Sequence, residues 1–250
     1  MGKSKRSAVV TLDWLVARGA EVVAVVAPEP DETLHHQQRL DLAAERHGLP
    51  LRTEAELYAE PPPDVDVVVS FLFWNLIREP VISLGRVGCL NFHPAPLPDY
   101  RGVGGYNVAI LEGLERWGVS CHFVDERFDT GDVVEVDHFA IDQAAETAFS
   151  LDLKSQEHLV ELFKRVMGRL LDGEQLPRTP QCDGRYLSRA EFEELRVVRP
   201  GDDLERKLRA FWYPPWPGAV VEIDGRRVTL VDETLLTDVA AAYRDAGRLP

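Results

Sequence analysis

The regular alternation of short β-branched runs with amphipathic stretches constrains the fold more than any other feature of this sequence. Three apolar runs, at 21–28, 64–73 and 87–93, predict buried strands. The stretch at 7–18 predicts a helix before the first strand, and the stretch at 35–47 predicts a helix between the first and the second strand. Strands that alternate with helices indicate a parallel sheet with right-handed crossovers. We therefore expect an α/β protein with a Rossmann-like, mostly parallel sheet flanked by helices. The segment GKSKR (2–6) resembles the turn after a first strand, so that strand is expected to be missing or truncated.

The second half of the chain predicts a smaller, different unit. A short helix is expected over 105–113, two strands over 118–125 and 132–141, and a long helix over 146–172. LPRTPQ (176–181) is typical of a linker, and a helix around 202–211, the cluster FWYPPWPG and a hairpin turning at Asp224-Gly225 follow it. We expect a catalytic domain over 1–175 and a small C-terminal α+β subdomain over 182–250.

Charge and composition argue against several classes of partner. The net charge is −14, and the residues from Leu176 onward hold 12 basic and 13 acidic side chains. Nucleic-acid binding proteins present a basic face, so nucleic acid is not expected as a partner. No apolar run approaches the roughly 20 residues that a membrane helix needs, so a membrane is not expected either. The three cysteines are odd in number and form no CxxC pair, which favours free buried thiols in the cytoplasm.

The stretch LNFHPAPLPDYRG (90–102) places polar side chains at the end of a buried strand. Ligands of open parallel sheets bind at the carboxyl ends of the strands. Strand side chains alternate between faces, so Asn91 and His93 should point together into one cleft while Phe92 faces the other way. An amide donor and an imidazole suit a reaction in which a carbonyl oxygen gains negative charge.

A third group is needed to set the protonation of His93. ERFDTGD (126–132) offers Asp129 in a turn between two strands, where Gly131 allows a sharp bend. A lone histidine or a lone DTGD is more often structural than catalytic, so the interpretation rests on both segments occurring together. The remaining histidines show no HxxxH or HxH spacing, and no metal is expected.

Taken together, NFHPAPLPDYRG and DERFDTGDVV resemble the signature of the formyltransferases that act on glycinamide ribonucleotide, methionyl-tRNA and nucleotide sugars. The resemblance implies the catalytic triad Asn91, His93 and Asp129, with 10-formyltetrahydrofolate as formyl donor and a free amine as acceptor. It also implies that the folate pterin binds to the loop after the second predicted strand, 64–73, and to the loop before the aspartate. The cofactor-binding residues so implied are Phe73, Trp74, Asn75, Leu76, Val124 and Asp125.

The tail resembles that of nucleotide-sugar N-formyltransferases of surface polysaccharide and lipopolysaccharide synthesis. Aromatic rings could stack on a nucleobase and guanidinium groups could meet a diphosphate. The substrate-binding residues expected on this basis are Arg209, Phe211, Trp212 and Tyr213. Tyr100 and Arg101 follow the triad residues Asn91 and His93 closely and are expected to line the sugar pocket. The resemblance implies a homodimer that formylates a nucleotide-linked amino sugar, with dTDP-4-amino-4,6-dideoxyglucose as the first choice.

Other functions stay open at this point. A methionyl-tRNA formyltransferase usually carries a longer and more basic C-terminal domain. A non-catalytic folate- or nucleotide-binding relative would have no need of the Asn-His-Asp set. A hydrolase that deformylates the folate would release formate without an acceptor.

Overall fold

The computed structural model describes residues 1–214, 216–234 and 236–237. The helices are α1 (Arg6–Ala17), α2 (Leu40–Arg46), α3 (Glu54–Ala59), α4 (Gly105–Leu111), α5 (Ala148–Leu171), α6 (Arg189–Leu195) and α7 (Leu204–Phe211). The strands are β1 (Val25–Val26), β2 (Leu51–Arg52), β3 (Val67–Phe71), β4 (Gly88–His93), β5 (Tyr100–Gly102), β6 (Arg116–Phe123), β7 (Val133–Ala140), β8 (Arg185–Leu187), β9 (Val220–Ile223) and β10 (Arg226–Thr229). None of the described helices is long and apolar enough to cross a membrane.

The chain divides into two compact units. The first comprises Met1–Arg101, Gly118–His138 and Ser155–Arg185, and the second comprises Gly102–Trp117, Phe139–Lys154 and the residues from Tyr186 onward. The expected C-terminal subdomain runs to residue 250, and its last part, 238–250, lies outside the described residues.

The first unit is organised around a mixed sheet with strand order β3-β4-β6-β7. β3 and β4 are parallel, whereas β6 runs antiparallel to β4. β1 and β2 form a separate parallel pair. The expected α/β class is confirmed, and the antiparallel β6 makes the sheet mixed.

Aromatic side chains form the core beneath β3 and β4. Phe92 is fully buried, and its ring centroid lies 6.0 Å from Phe71 and 4.8 Å from Phe163 of α5. The rings of Phe71 and Phe163 meet edge to face with their centroids 5.8 Å apart, a geometry that aromatic pairs prefer. Phe92 therefore points into the core, away from its neighbours Asn91 and His93, as the strand alternation predicts.

The start of the chain lies between β1 and β3. The Gly2 amide donates to the Val26 carbonyl (3.0 Å), the Phe71 amide donates to the Met1 carbonyl (2.9 Å), and the Met1 ammonium donates to the Val69 carbonyl (2.7 Å). A cavity of about 950 Å³ adjoins this segment. Its apolar lining includes Val22, Val23, Val67, Leu12, Phe163 and Met167.

Two expected elements differ in extent from the structure. The strand expected over 21–28 is limited to Val25–Val26, because only these residues pair with β2. The helix expected over 35–47 begins with a 3₁₀ turn at His36–Gln38, and α2 starts only at Leu40. The buried carboxylate of Asp41 accepts two hydrogen bonds from Arg39, which precedes the helix.

In the second unit, α4 packs against α7. The buried Asn107 amide of α4 donates to the Ala210 carbonyl of α7 (2.6 Å), and Phe211 contacts Phe192 of α6 with ring centroids 5.7 Å apart. The expected hairpin is confirmed: β9 and β10 are antiparallel, and the turn residues Asp224 and Gly225 both have positive φ, at 49° and 73°. Two positive φ values define the hairpin turn that Asp-Gly favours.

Candidate active site

Asn91 and His93 lie at the carboxyl end of β4 with their side chains on the same side of the sheet. The Asn91 oxygen accepts a hydrogen bond from the Ser70 hydroxyl of β3 (2.7 Å), because Ser70 is the register partner of Asn91. His93 is nine-tenths buried, and its Nε2 lies 3.3 Å from the Tyr100 carbonyl. Both side chains are therefore held by the strands that flank them.

Asp129 reaches these two residues from the turn between β6 and β7. Its Oδ1 lies 3.5 Å from His93 Nδ1 and 3.5 Å from Asn91 Nδ2. The backbone of Asp129 has φ of 56°, a left-handed conformation that aspartate tolerates better than most residues. A Cβ on Gly131 would lie only 2.0 Å from the Phe123 carbonyl oxygen, so the turn requires glycine at that position. The turn thus carries the carboxylate to the two side chains on β4.

A second histidine lies next to the three expected residues. His122 is paired with Asn91 across the antiparallel β4–β6 ladder, and its Nε2 lies 3.0 Å from Asn91 Nδ2. Its Nδ1 lies 2.7 Å from the Phe123 carbonyl oxygen, which can only accept. In a neutral His122 the proton therefore lies on Nδ1, and Nε2 accepts from the Asn91 amide. Together with Ser70, it fixes which way the Asn91 amide points.

Burial controls the protonation of His93. Burial lowers the pKa of His93 below its usual value, and the nearby His122 adds to this effect. The Asp129 carboxylate and the Tyr100 carbonyl act in the opposite direction and raise the same pKa, without overcoming burial. His93 is therefore neutral at neutral pH and faces a carboxylate that stabilises positive charge when it forms.

The residues expected to hold the pterin follow β3 and β6. Phe73 and Val124 pack on one apolar cluster, and the Phe73 and Trp74 rings lie 4.4 Å apart with Trp74 exposed. The Asn75 amide donates to Glu54 (2.6 Å). Leu76 is half-buried.

Asp125 has a role within its own loop. Its carboxylate accepts hydrogen bonds from the Thr130 hydroxyl (2.6 and 2.8 Å) and from the Arg127 amide (3.1 Å). These bonds join the start of the loop to the turn that carries Asp129. The assignment of Asp125 and its neighbours to cofactor binding stays a prediction.

Tyr100 and Arg101 lie in the first unit, as His93 does. Tyr100 contributes its backbone carbonyl to His93. The Arg101 guanidinium donates to the Gln181 side-chain oxygen and to the Cys182 carbonyl (2.9 Å). A direct role of either side chain in substrate binding stays a prediction.

The four remaining expected substrate residues all lie in the second unit. Arg209 donates to the Glu146 carbonyl (2.9 Å), and the Trp212 carbonyl accepts from the Phe149 amide (3.0 Å). Phe211 is buried, and the Tyr213 hydroxyl donates to Asp152 (2.5 Å). Burial and the Asp152 carboxylate raise the pKa of Tyr213. Their role in binding nucleotide stays a prediction, and Trp216 is the most exposed ring of the cluster, at 69%.

Sequence reasoning missed three side chains that organise the site. Ser70 and His122 contact Asn91, and Gln181 contacts the turn that carries Asp129. Ser70 and His122 could have been found only from the strand register, and Gln181 lies in a segment expected to be a linker. No group of acidic, histidine or cysteine side chains among the described residues has metal-binding geometry.

Comparison with known proteins identifies the family. The profile of the formyl transferase family matches residues 19–167, which is more than half of the chain. The chain belongs to the formyl transferase family. The match includes all three residues of the expected triad, and the expectation that the chain is a formyltransferase is confirmed at the level of the family.

The sequence relatives and the structural neighbours of this formyltransferase differ in their acceptors. The methionyl-tRNA formyltransferase of Parvibaculum lavamentivorans is 32% identical to this chain, over 94% of this chain and 79% of its own length. The methionyl-tRNA formyltransferase of Lachnospira eligens is 29% identical, over 93% of this chain and 77% of its own length. Among solved structures, the N-formyltransferase from Helicobacter canadensis, in complex with folinic acid and dTDP-3-aminofucose, has a TM-score of 0.73 at 20% identity, covering 93% of this chain and 87% of that one. A 4-N formyltransferase from Francisella tularensis has a TM-score of 0.72 at 19% identity, and the match covers 93% of this chain and 96% of that one. At these identities the structures establish the shared fold.

Proposed function

We propose that this formyltransferase transfers the formyl group of 10-formyltetrahydrofolate to the amine of a nucleotide-linked amino sugar. The observation that carries the chemistry is the convergence of Asn91, His93 and Asp129, with Asp129 Oδ1 at 3.5 Å from both partners. An amide donor, an imidazole and a carboxylate around one point suit the transfer of an acyl group to an amine.

The proposed reaction makes one C–N bond and breaks another. The free amine attacks the formyl carbon, and its carbonyl oxygen becomes an oxyanion held by Asn91 Nδ2 and by His93. One hydrogen of the Asn91 amide is directed to His122 at 3.0 Å, and the other makes only a long contact with Asp129 Oδ1 at 3.5 Å, which the oxyanion would replace. The C–N bond to the folate then breaks, and the proton lost by the amine is transferred to the departing folate nitrogen. Asp129 stabilises positive charge on His93 during this transfer.

Charge supports a small anionic sugar nucleotide over tRNA as the acceptor. The chain carries a net charge of −14, and the tail from Leu176 is not basic. Binding to tRNA gains its affinity from neutralising many phosphates, which an acidic protein opposes. A single diphosphate requires only one or two guanidinium groups, and Arg209 is the candidate that the sequence offers.

The fold neighbours support the same acceptor class. The Helicobacter canadensis enzyme was crystallised with a dTDP-linked amino sugar, and the Francisella tularensis enzyme is a 4-N formyltransferase. Within this class we propose dTDP-4-amino-4,6-dideoxyglucose as the first acceptor to test and a homodimer as the assembly. The product would serve surface polysaccharide synthesis.

Formylation of methionyl-tRNA is the second candidate, because the sequence relatives described above are methionyl-tRNA formyltransferases. The test supplies 10-formyltetrahydrofolate with either charged initiator tRNA or a panel of dTDP-, UDP- and GDP-linked 3-amino and 4-amino sugars. The proposal expects folate turnover that depends on one amino sugar and a product that gains one formyl group.

Two results would overturn the proposal. Turnover only with methionyl-tRNA would assign the second function, and release of formate without any acceptor would assign a hydrolase. Asn91→Ala serves as the matched control, because it should abolish transfer while folate binding persists.

A further inference from the structure

The segment expected to be a linker is fixed against the first unit. The amide and the carbonyl of Thr179 pair with the carbonyl and the amide of Val133, at 2.9 and 2.8 Å, at the start of β7. The Arg178 guanidinium lies over the Phe123 ring at 3.4 Å and donates to the Val87 carbonyl (3.2 Å). Residues 178–182, named here the strap, therefore have a defined position beside the turn that carries Asp129.

Gln181 bonds this strap to the turn. Its side-chain nitrogen donates to the carbonyls of Asp129 (3.1 Å) and Gly131 (2.6 Å). Its side-chain oxygen accepts from Arg101 Nε (3.3 Å) and Nη2 (3.0 Å). A guanidinium can only donate and a carbonyl can only accept, so the surroundings fix the orientation of the Gln181 amide.

The two carbonyls that Gln181 holds belong to a strained residue, Asp129, and to Gly131 two positions later. Asp129 has φ of 56°, outside the range that most side chains prefer, and its carboxylate must stay 3.5 Å from His93 Nδ1. A backbone in this region persists only when its surroundings hold it, and the bonds on either side of Thr130 do so. Misplacing a reacting group by about 1 Å can cost about a hundredfold in rate.

We propose that Gln181, oriented by Arg101, is a positioning residue that holds the Asp129 turn in its catalytic conformation. This inference rests on the proposed role of Asp129 in formyl transfer. It assigns Arg101 to the support of the turn, in contrast to the direct substrate contact expected from the sequence. The side chains of Gln181 and Arg101 then act on the rate of the chemical step and not on the affinity for either substrate.

The first test uses Gln181→Met, which keeps the length of the side chain and removes all four hydrogen bonds. We expect kcat to fall about tenfold to a hundredfold, with little change in KM for folate or amino sugar. Gln181→Glu keeps the acceptor for Arg101 but loses the donor to the turn, so it should resemble Gln181→Met. Cys182→Ser is the matched control, since Arg101 contacts only the backbone carbonyl of that residue.

The pH profile separates positioning from general destabilisation. Asp129, the His122 ring and the Tyr100 carbonyl are the groups that face His93, and Asp129 raises its pKa. A displaced turn weakens this effect, so the acid limb of kcat/KM should move to lower pH in Gln181→Met. A substitution that only reduces the fraction of folded protein would lower kcat/KM by the same factor at every pH and would not shift the acid limb.

A double-mutant cycle tests how Arg101 acts. If Arg101 works through Gln181, Arg101→Ala should lower kcat in the wild-type background and have little further effect in Gln181→Met. If Arg101 binds the substrate, Arg101→Ala should raise KM for the amino sugar equally in both backgrounds, which would overturn the inference.

The outcome also separates this inference from the proposed function. Wild-type kcat and an unshifted profile in Gln181→Met, together with an inactive Asp129→Asn, would refute the role of Gln181 alone. An active Asp129→Asn would instead refute the catalytic role of Asp129, and the inference about Gln181 would fall with it.

Discussion

Replacing Asp129 by asparagine removes one negative charge and leaves the shape of the site unchanged. In the folded protein Oδ1 of this carboxylate lies 3.5 Å from His93 Nδ1, and both side chains are about nine-tenths buried. At this separation a unit charge pair interacts by about 5 kcal/mol when the effective dielectric constant is about 20. Because about 1.4 kcal/mol corresponds to one decade in rate, we expect Asp129→Asn to lower kcat by up to about three and a half decades.

The assay is steady-state formyl transfer at saturating folate and acceptor, repeated over a range of pH. The loss should fall on kcat, because the charge on His93 develops only during the reaction. The pKa of His93 should decrease further in the variant, since the carboxylate raises it in the wild type. A kcat within tenfold of wild type, with an unchanged pH profile, would refute the electrostatic role given to Asp129.

Three further predictions concern reactivity and stability. In the native protein a thiol reagent should modify Cys182 first, because Cys182 is exposed while Cys89 and Cys121 are buried. Burial also raises the pKa of Cys89 to about 12, which leaves little reactive thiolate at neutral pH. Fast modification of a second thiol would contradict this prediction. Burial lowers the pKa of His93 below its value in the unfolded chain. The free energy of unfolding should therefore decrease as the pH falls below about 6.5 and level off below the pKa of the folded state. Urea titrations of wild type and His93→Asn should differ in how steeply the free energy of unfolding changes over this pH range. An engineered extension of five valines or isoleucines before Met1 should raise Tm relative to a serine–glycine extension of equal length. Both extensions remove the buried ammonium, but only the apolar side chains can fill the cavity of about 950 Å³ favourably; equal Tm values would show that the cavity does not accept a strand.

Local sequence rules predicted the residues that lie on a single strand. The two-residue period of β4 placed Asn91 and His93 together and Phe92 in the core, and the structure has this arrangement. Asp-Gly at 224–225 predicted the hairpin turn for a similarly local reason, since the turn requires positive φ at both positions.

Contacts between distant segments could not be predicted in the same way. His122 meets Asn91 only because β6 runs antiparallel to β4, and the alternation of strands and helices had indicated parallel neighbours. Gln181 lies in a proline-containing stretch typical of linkers, and its contact with the turn depends on a backbone pairing between Thr179 and Val133. The free thiols were expected to be buried, which is wrong for Cys182, because this residue lies on the strap outside the sheet.

Some local signals were present in the sequence and were not used. The capping box of α3 joins the Thr53 hydroxyl to the Glu56 amide and the Glu56 carboxylate to the Thr53 amide. Ser188 and Glu191 form the same motif at the start of α6. A serine or threonine followed three residues later by glutamate predicts a helix start, so both short helices could have been expected.

The central claim is that a one-carbon unit moves from folate to a sugar amine around Asn91, His93 and Asp129. The most direct measurement follows an isotope-labelled formyl carbon of 10-formyltetrahydrofolate by NMR in the presence of a nucleotide-linked amino sugar. We expect the label in an N-formyl group on the sugar with the wild-type protein, and unreacted folate with Asn91→Ala. Label found only in free formate, or transfer to the sugar that persists at the wild-type rate in Asn91→Ala, would contradict the claim.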